Sequence, residues 1–224
     1  MIKKLQKLKA KKGFTLVELI VVIAIIGVLA AILIPTMLGF VTSSRVTSAN
    51  STAAAIKKQI DNFLTDADTA GYGMKQGANL ATFTISVTST GGVATWAVTA
   101  VSTPASFKGP SGKWGATAGS ATTSTSKTTS DSAEQLLAIE LCKLFPEIEQ
   151  ASVFVSLAGG KCMAVAYTAD QSTALTAGTD CPPISTTTGK WDEAAATPYD
   201  WDGKTDGVND SGIIVGTAPA FVLG

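Results

Sequence analysis

Between Phe14 and Ile34 the chain has 21 residues and a single charge, Glu18. A carboxylate in so apolar a run is costly unless it reaches water or finds a partner. Near the edge of a membrane it can simply reach the headgroups. Held away from water it must pair with a cation, and such a pair can set the register of one helix against another. A second group of oxygen ligands lies in "YDWDGKTDGVND", residues 199–210, where Asp200, Asp202, Asp206, Asn209 and Asp210 are threaded through two glycines. Hard oxygens on a tight turn suit calcium, and the Asp-x-Asp-Gly start of an EF-hand loop is there. Its closing Glu is missing, so an Asp/Gly-rich turn without metal competes with this candidate calcium site.

The sequence contains no histidine, which removes Ser-His-Asp and Cys-His nucleophiles and histidine-built zinc sites. Acid–base work would fall to carboxylates such as Asp192, Glu193 and Asp200 converging in a cleft, and an enzyme is not expected. Cys142, Cys162 and Cys181 are far apart with no Cys-x-x-Cys pair. They allow one disulfide, with Cys162–Cys181 the expected pair, or three small buried thiols in a reducing habitat. Trp114, Trp191 and Trp201 sit in polar, Gly/Asp-rich stretches. Buried, they plug the core under loops. Exposed, with Trp191 and Trp201 together on one flat face, they would stack on sugar rings.

The formal charge of zero conceals an asymmetry. Six lysines (Lys3, Lys4, Lys7, Lys9, Lys11 and Lys12) crowd the start; without them 11 basic residues face 17 acidic ones. The body is acidic, so no direct nucleic-acid partner is expected, and the basic leader fits the cytoplasmic side of a membrane. From Phe14 to Ile34 a helix would span about 30 Å, a bilayer core. The run is longer than the apolar core of a secretory signal peptide, and no small-x-small cleavage site follows it. Ala24, Gly27 and Ala31 form a small-residue stripe suited to close helix packing. Pro35 removes a backbone donor and should kink or open the helix near Ala31.

Beyond Pro35, Val46, Ala49, Ala53, Ile56, Ile60, Phe63 and Leu64 recur at steps of three and four, one face of an amphipathic helix. The pattern predicts a nearly continuous helix from Phe14 to about Thr65, ended by Asp66, Asp68 and Gly71. Two hairpins follow, turning at Gly91-Gly92 and Gly159-Gly160, with Phe83, Ile85, Val87, Trp96 and Val98 on one face of the first. Their similar return strands hint at a duplicated unit, though any antiparallel sheet yields matched hairpins. Between them, residues 119–132 are Ser or Thr at ten of 14 positions and read as a solvated surface loop that could carry O-linked glycans. Asp131 with Glu134 signals the start of a short helix ended by Pro146, burying Leu137, Ile139, Leu141 and in part Leu144 beside Cys142. The expected fold is α+β: a long N-terminal α-helix, hydrophobic then amphipathic, packed on a C-terminal antiparallel head with one additional short helix. The expected divisions are 1–13 (leader), 14–40 (membrane or filament-core helix), 41–68 (amphipathic helix) and 69–224 (β-rich head with a Ser/Thr-rich loop, 111–132).

The string "KKGFTLVELIVVIAIIGVLAAILIP" resembles the N-terminal signal of type IV pilins and of the related type II secretion pseudopilins: a basic leader ending in Gly, then Phe-Thr-Leu-x-Glu-Leu and some twenty apolar residues. The likeness covers roughly residues 7–40. It implies that a prepilin peptidase cuts after Gly13 and methylates the new amine on Phe14. Glu18 would then pair with the Phe14 amine of a neighbouring subunit, and Pro35 and Gly27 would mark a flexible stretch. The function implied is a structural pilin held by one span in the inner membrane and then polymerised into an extracellular type IV pilus. Its partners would be copies of itself, the prepilin peptidase, the assembly platform protein and its motor ATPase. The alternatives are a pseudopilin of a secretion or competence system and a pilus-borne carbohydrate-binding adhesin. Some relatives bind calcium near the C-terminus, which favours the Asp200–Asp210 site.

Overall fold

A computed structural model describes residues 13–72, 80–99, 114–115, 119–169, 174–192, 194 and 213–221. The chain divides into two compact units, one through Ser43 and one from Ser44 onward. Helix α1, Leu16–Thr69, contributes to both. In the first unit it carries the apolar run, exposed at nearly every position. The helix continues unbroken through Pro35, so the expected opening near Ala31 is not seen in the single chain. The hydroxyl of Thr36 donates to the carbonyls of Leu33 and Ile32, at 2.9 and 3.4 Å. It thereby supplies local hydrogen bonds where proline supplies none.

In the second unit the helix turns one face inward. Ala49, Ala53, Ile56, Ile60, Phe63 and Leu64 are buried as their spacing predicts, and Ala67 extends the face. Each wholly buried isoleucine contributes ~1.5–3 kcal/mol. The helix passes the expected stop at Asp66 and ends in a Schellman motif. Gly71 takes φ +80°, its N–H donates to Asp68 O at 3.0 Å, and Tyr72 N–H donates to Ala67 O at 3.0 Å. Carboxylates at 66 and 68 do not break a helix whose apolar face continues; the left-handed glycine does.

Strands β1 (Ala81–Thr90), β2 (Val93–Thr99), β3 (Ser120–Ala121), β4 (Ala151–Ala158), β5 (Lys161–Thr168) and β6 (Gly216–Ala218) form one antiparallel sheet in the order β3-β2-β1-β4-β5-β6. Both hairpins turn on two glycines at positive φ, 61° and 79° in the first and 59° and 74° in the second, as the right-handed twist of paired strands favours. The register sets Val87 opposite Trp96 and Ile85 opposite Val98, which keeps the apolar residues on the helix side. Helix α2, Ala133–Leu144, lies against β2 and β3. It buries Leu137, Ile139, Leu141 and Cys142 and leaves Leu144 exposed.

Its cap lies one residue later than expected. Ser132 Oγ accepts from Gln135 N–H at 3.2 Å. Asp131 instead turns back to accept from the N–H and hydroxyl of Thr128, at 2.7 and 2.8 Å. With β3, these bonds show that 119–132 is laced to the head; its composition alone reads as a solvated loop. The opposite face of the sheet holds a second cluster of Phe154, Ala166, Leu175, Cys181, Val215 and Phe221. It has no periodic signature because segments without regular structure supply most of it.

Two polar tethers and one close approach seat the helix on the sheet. Asn50 Oδ1 accepts from Thr217 N–H at 2.7 Å. Asp61 Oδ1 accepts from Cys162 N–H at 2.7 Å, while its other oxygen pairs with Lys57 at 2.9 Å. Gly216 touches the helix backbone itself: a Cβ there would stand 2.1 Å from the carbonyl carbon of Ala49.

Candidate functional site

The start of α1 is built around Glu18. Thr15 caps the helix, its hydroxyl accepting from Glu18 N–H at 3.2 Å. Glu18 reaches back, and its Oε2 accepts from Thr15 N–H at 2.8 Å and from the Thr15 hydroxyl at 2.7 Å. This is a reciprocal capping box, which satisfies helix donors that otherwise need water. The acid also stands at the positive end of the helix dipole. The Thr-x-x-Glu spacing before an apolar run is legible in the sequence, but Glu18 draws attention first as a charge that needs a cation.

Around it the segment is bare. Phe14 is 84% exposed, and Leu16, Ile23, Leu29, Leu33 and Phe40 are each more than half exposed. Gly13 and Gly27 have open space around them. A continuous apolar surface of this size on a soluble domain would be a liability. The helix is long and apolar enough to cross a membrane.

The other candidate residues separate. Cys142, Cys162 and Cys181 are all free and buried, so the Cys162–Cys181 bridge is not formed. Cys162 belongs to the helix-side cluster and Cys181 to the cluster on the opposite face, with the sheet between them. Burial raises all three thiols above their ordinary range, Cys162 further because Asp61 lies beside it and Cys181 because of Asp180. Such thiols are poor nucleophiles.

Asp200, Asp202, Asp206, Asn209 and Asp210, the candidate calcium ligands, lie outside the described residues, as do Glu193 and Trp201. Among the described residues no cluster of three or more acids or cysteines is placed to hold a metal ion. Trp191 packs against the second cluster and donates from Nε1 to Pro219 O at 2.9 Å. Trp96 is wholly buried.

The prokaryotic N-terminal methylation motif matches residues 8–34. This part of the chain is similar to type IV pilins. Curated relatives agree: fimbrial protein Q of Moraxella bovis is 41% identical over 87 residues, 39% of this chain and 54% of the relative. A fimbrial protein of Pseudomonas aeruginosa is 52% identical over 50 residues, 22% of this chain and 32% of the relative. The type IV major alpha-pilin of Moraxella bovis is 44% identical over 62 residues, 28% and 39%. The chain thus spans about half the length of these relatives or less, and the pilin likeness rests on the N-terminal part. No solved structure matches the chain.

Proposed function

We propose that the chain is a structural subunit of a type IV pilus. It is cut after Gly13 by a prepilin peptidase, methylated on Phe14, held in the inner membrane by the first half of α1, and polymerised into an extracellular filament. The observation that carries this reading is the combination on one helix start: the Gly13-Phe14 junction, Glu18, and an apolar run within the methylation motif that is exposed at nearly every position. In the membrane, lipid covers that run; in a filament, the same run of neighbouring copies would cover it. Helices in such a bundle associate through packing and through the few polar groups they carry, so Glu18 supplies the directional contact, pairing with the new amine of the neighbour's Phe14.

The prepilin peptidase, an assembly platform and its motor ATPase are the partners this role requires. Every relative named above is a fimbrial protein or pilin, which favours a pilus over a secretion pseudopilus, and nothing in this role calls for catalysis. Mass spectrometry of sheared surface filaments tests it. The expected product begins at N-methylated Phe14. A chain found only in the cell membrane and intact from Met1 would overturn both processing and assembly.

A further inference from the structure

With the leader set aside, the chain carries 11 basic residues against 17 acidic ones, yet four of the 11 meet at one place in the head. Lys57, Lys58, Lys161 and Lys190 rim a cleft of about 740 Å³ between the second half of α1 and the turn that joins β4 to β5. Asp61, the one acid among its described lining residues, is already engaged by Lys57 and by Cys162 N–H. Lys58, Lys161 and Lys190 are exposed, and among the described residues no carboxylate pairs with them. Below the lysines the lining is apolar, with Ala54, Met163 and Pro219. An occupant that uses all of this surface brings carboxylates and an apolar group together.

The turn between α2 and β4 offers that combination. Leu144 and Val93 are the two large apolar side chains exposed in the described part of the head. Leu144 is followed by Pro146, Glu147 and Glu149, all exposed. The turn is held in shape: Phe145 N–H donates to Leu141 O at 2.9 Å, Ile148 N–H donates to Phe145 O at 3.2 Å, and Ile148 is buried. Among the described residues no lysine or arginine pairs with either glutamate. The eight residues of β4 lie between this turn and the cleft, about 25 Å at the rise of a strand. The turn of one copy therefore cannot fill its own cleft. A second copy can supply it, and its own cleft then stays open for a third, which is a heterologous contact that propagates.

We propose that the basic cleft receives the turn Leu144–Glu149 of a second copy of this chain. Glu147 and Glu149 meet the lysines, and Leu144 meets the apolar floor. This is a contact between heads, added to the one between helices, and it rests on the polymerising role proposed above. Nucleic acid is disfavoured as the occupant because the body as a whole is acidic.

Carbodiimide joins a lysine amine to a carboxylate only where the two are in contact, and peptide mass spectrometry locates the join. It is applied to sheared filaments and to the concentrated full chain in detergent. Amides from Lys58, Lys161 or Lys190 to Glu147 or Glu149 are expected, and the length of β4 makes them joins between copies. Lys161→Glu with Lys190→Glu should lower filament yield about tenfold, as should Glu147→Lys with Glu149→Lys, because like charges then face each other. Both reversals in one chain should restore the yield, which a folding defect would not allow. Amides from these lysines only to other carboxylates, or to none, overturn the assignment. So does a yield unchanged by either reversal, or a combined variant no better than the two apart. A wild-type chain that forms no filaments but gives these amides in detergent would sink polymerisation and keep the contact; filaments without them would do the opposite.

Discussion

At Gly216 the sheet comes against the backbone of the second half of α1, and replacing it with alanine tests how the helix is seated. The added Cβ would lie 2.1 Å from Ala49 C, 2.3 Å from Ala49 O and 2.5 Å from Asn50 N. All three are backbone atoms of a helix, so no side chain can swing aside. Restoring ordinary contact requires the two backbones to separate by about 1.3 Å, the gap between 2.1 Å and the 3.4 Å at which such contacts become normal. A shift of that size takes Asn50 Oδ1 out of reach of Thr217 N–H, now 2.7 Å away, leaving a buried donor unpaired at ~1–3 kcal/mol. It also thins the packing around Ala49 and Ala53, where a gap of 0.5–1 Å already forfeits about a quarter to a half of each contact. Overpacking of this kind usually costs ~1–3 kcal/mol, so the combined loss is ~2–6 kcal/mol.

A domain of this size has ~5–15 kcal/mol in hand, so Gly216→Ala should fold weakly or fail. The assay is chemical denaturation of the full chain in detergent, read by near-ultraviolet circular dichroism from the buried tryptophan. Gly39→Ala is the control, since nothing lies within 4 Å of that position. If Gly216→Ala unfolds at the wild-type midpoint, the helix does not approach β6 as described and the argument fails.

Three further outcomes are expected. Glu18→Gln should keep the helix start, because Gln also closes a capping box, yet yield no sheared filaments; normal filament yield would show that the charge is not needed. Asp61→Ala strips the acceptor from Cys162 N–H and should cost ~1–3 kcal/mol in the same denaturation assay. Asp61→Asn keeps an acceptor and should cost less than half of that, so equal losses would place the effect elsewhere. Cys162 and Cys181 are held protonated by burial, so their contribution to stability is complete below the unfolded thiol value near 8.5. It falls as pH rises toward the higher folded values, by ~1.4 kcal/mol per pH unit per thiol, because only the unfolded chain can release the proton. Denaturation midpoints flat from pH 7 to 10 in the native chain, or rapid alkylation of either thiol at pH 8, would contradict this.

Where one residue pattern carried one physical meaning, the sequence was readable. The steps from Ala49 to Leu64 describe a single helical face, and that face is buried. Paired glycines between alternating strands became the two hairpins, with Val87 facing Trp96. The features missed are those in which a neighbour distant in sequence decides. Nothing local to Cys162 or Cys181 tells that a sheet separates them. Gly216 looks like an ordinary glycine near the C-terminus until Ala49 is set against it. Asp131 and Ser132 both suit a helix cap, and the choice falls to Ser132 only because Thr128 offers Asp131 two donors.

The head of α1 shows why capping and assembly can be demanded of one carboxylate. Both hydrogen bonds from Thr15 converge on Oε2 of Glu18, so neither of them occupies Oε1. A carboxylate has about four acceptor positions on its two oxygens, so an ammonium arriving from a neighbour can be accepted without dismantling the cap. In the proposed membrane-held subunit the cap would make a lone acid tolerable at the membrane edge; in the proposed filament the same acid would gain the charge it lacks. A residue chosen only to cap this helix could be Gln, and one chosen only to pair could sit anywhere on the first turn. Glutamate three residues after a threonine, and four after the proposed cleavage product's first residue, meets both requirements at once.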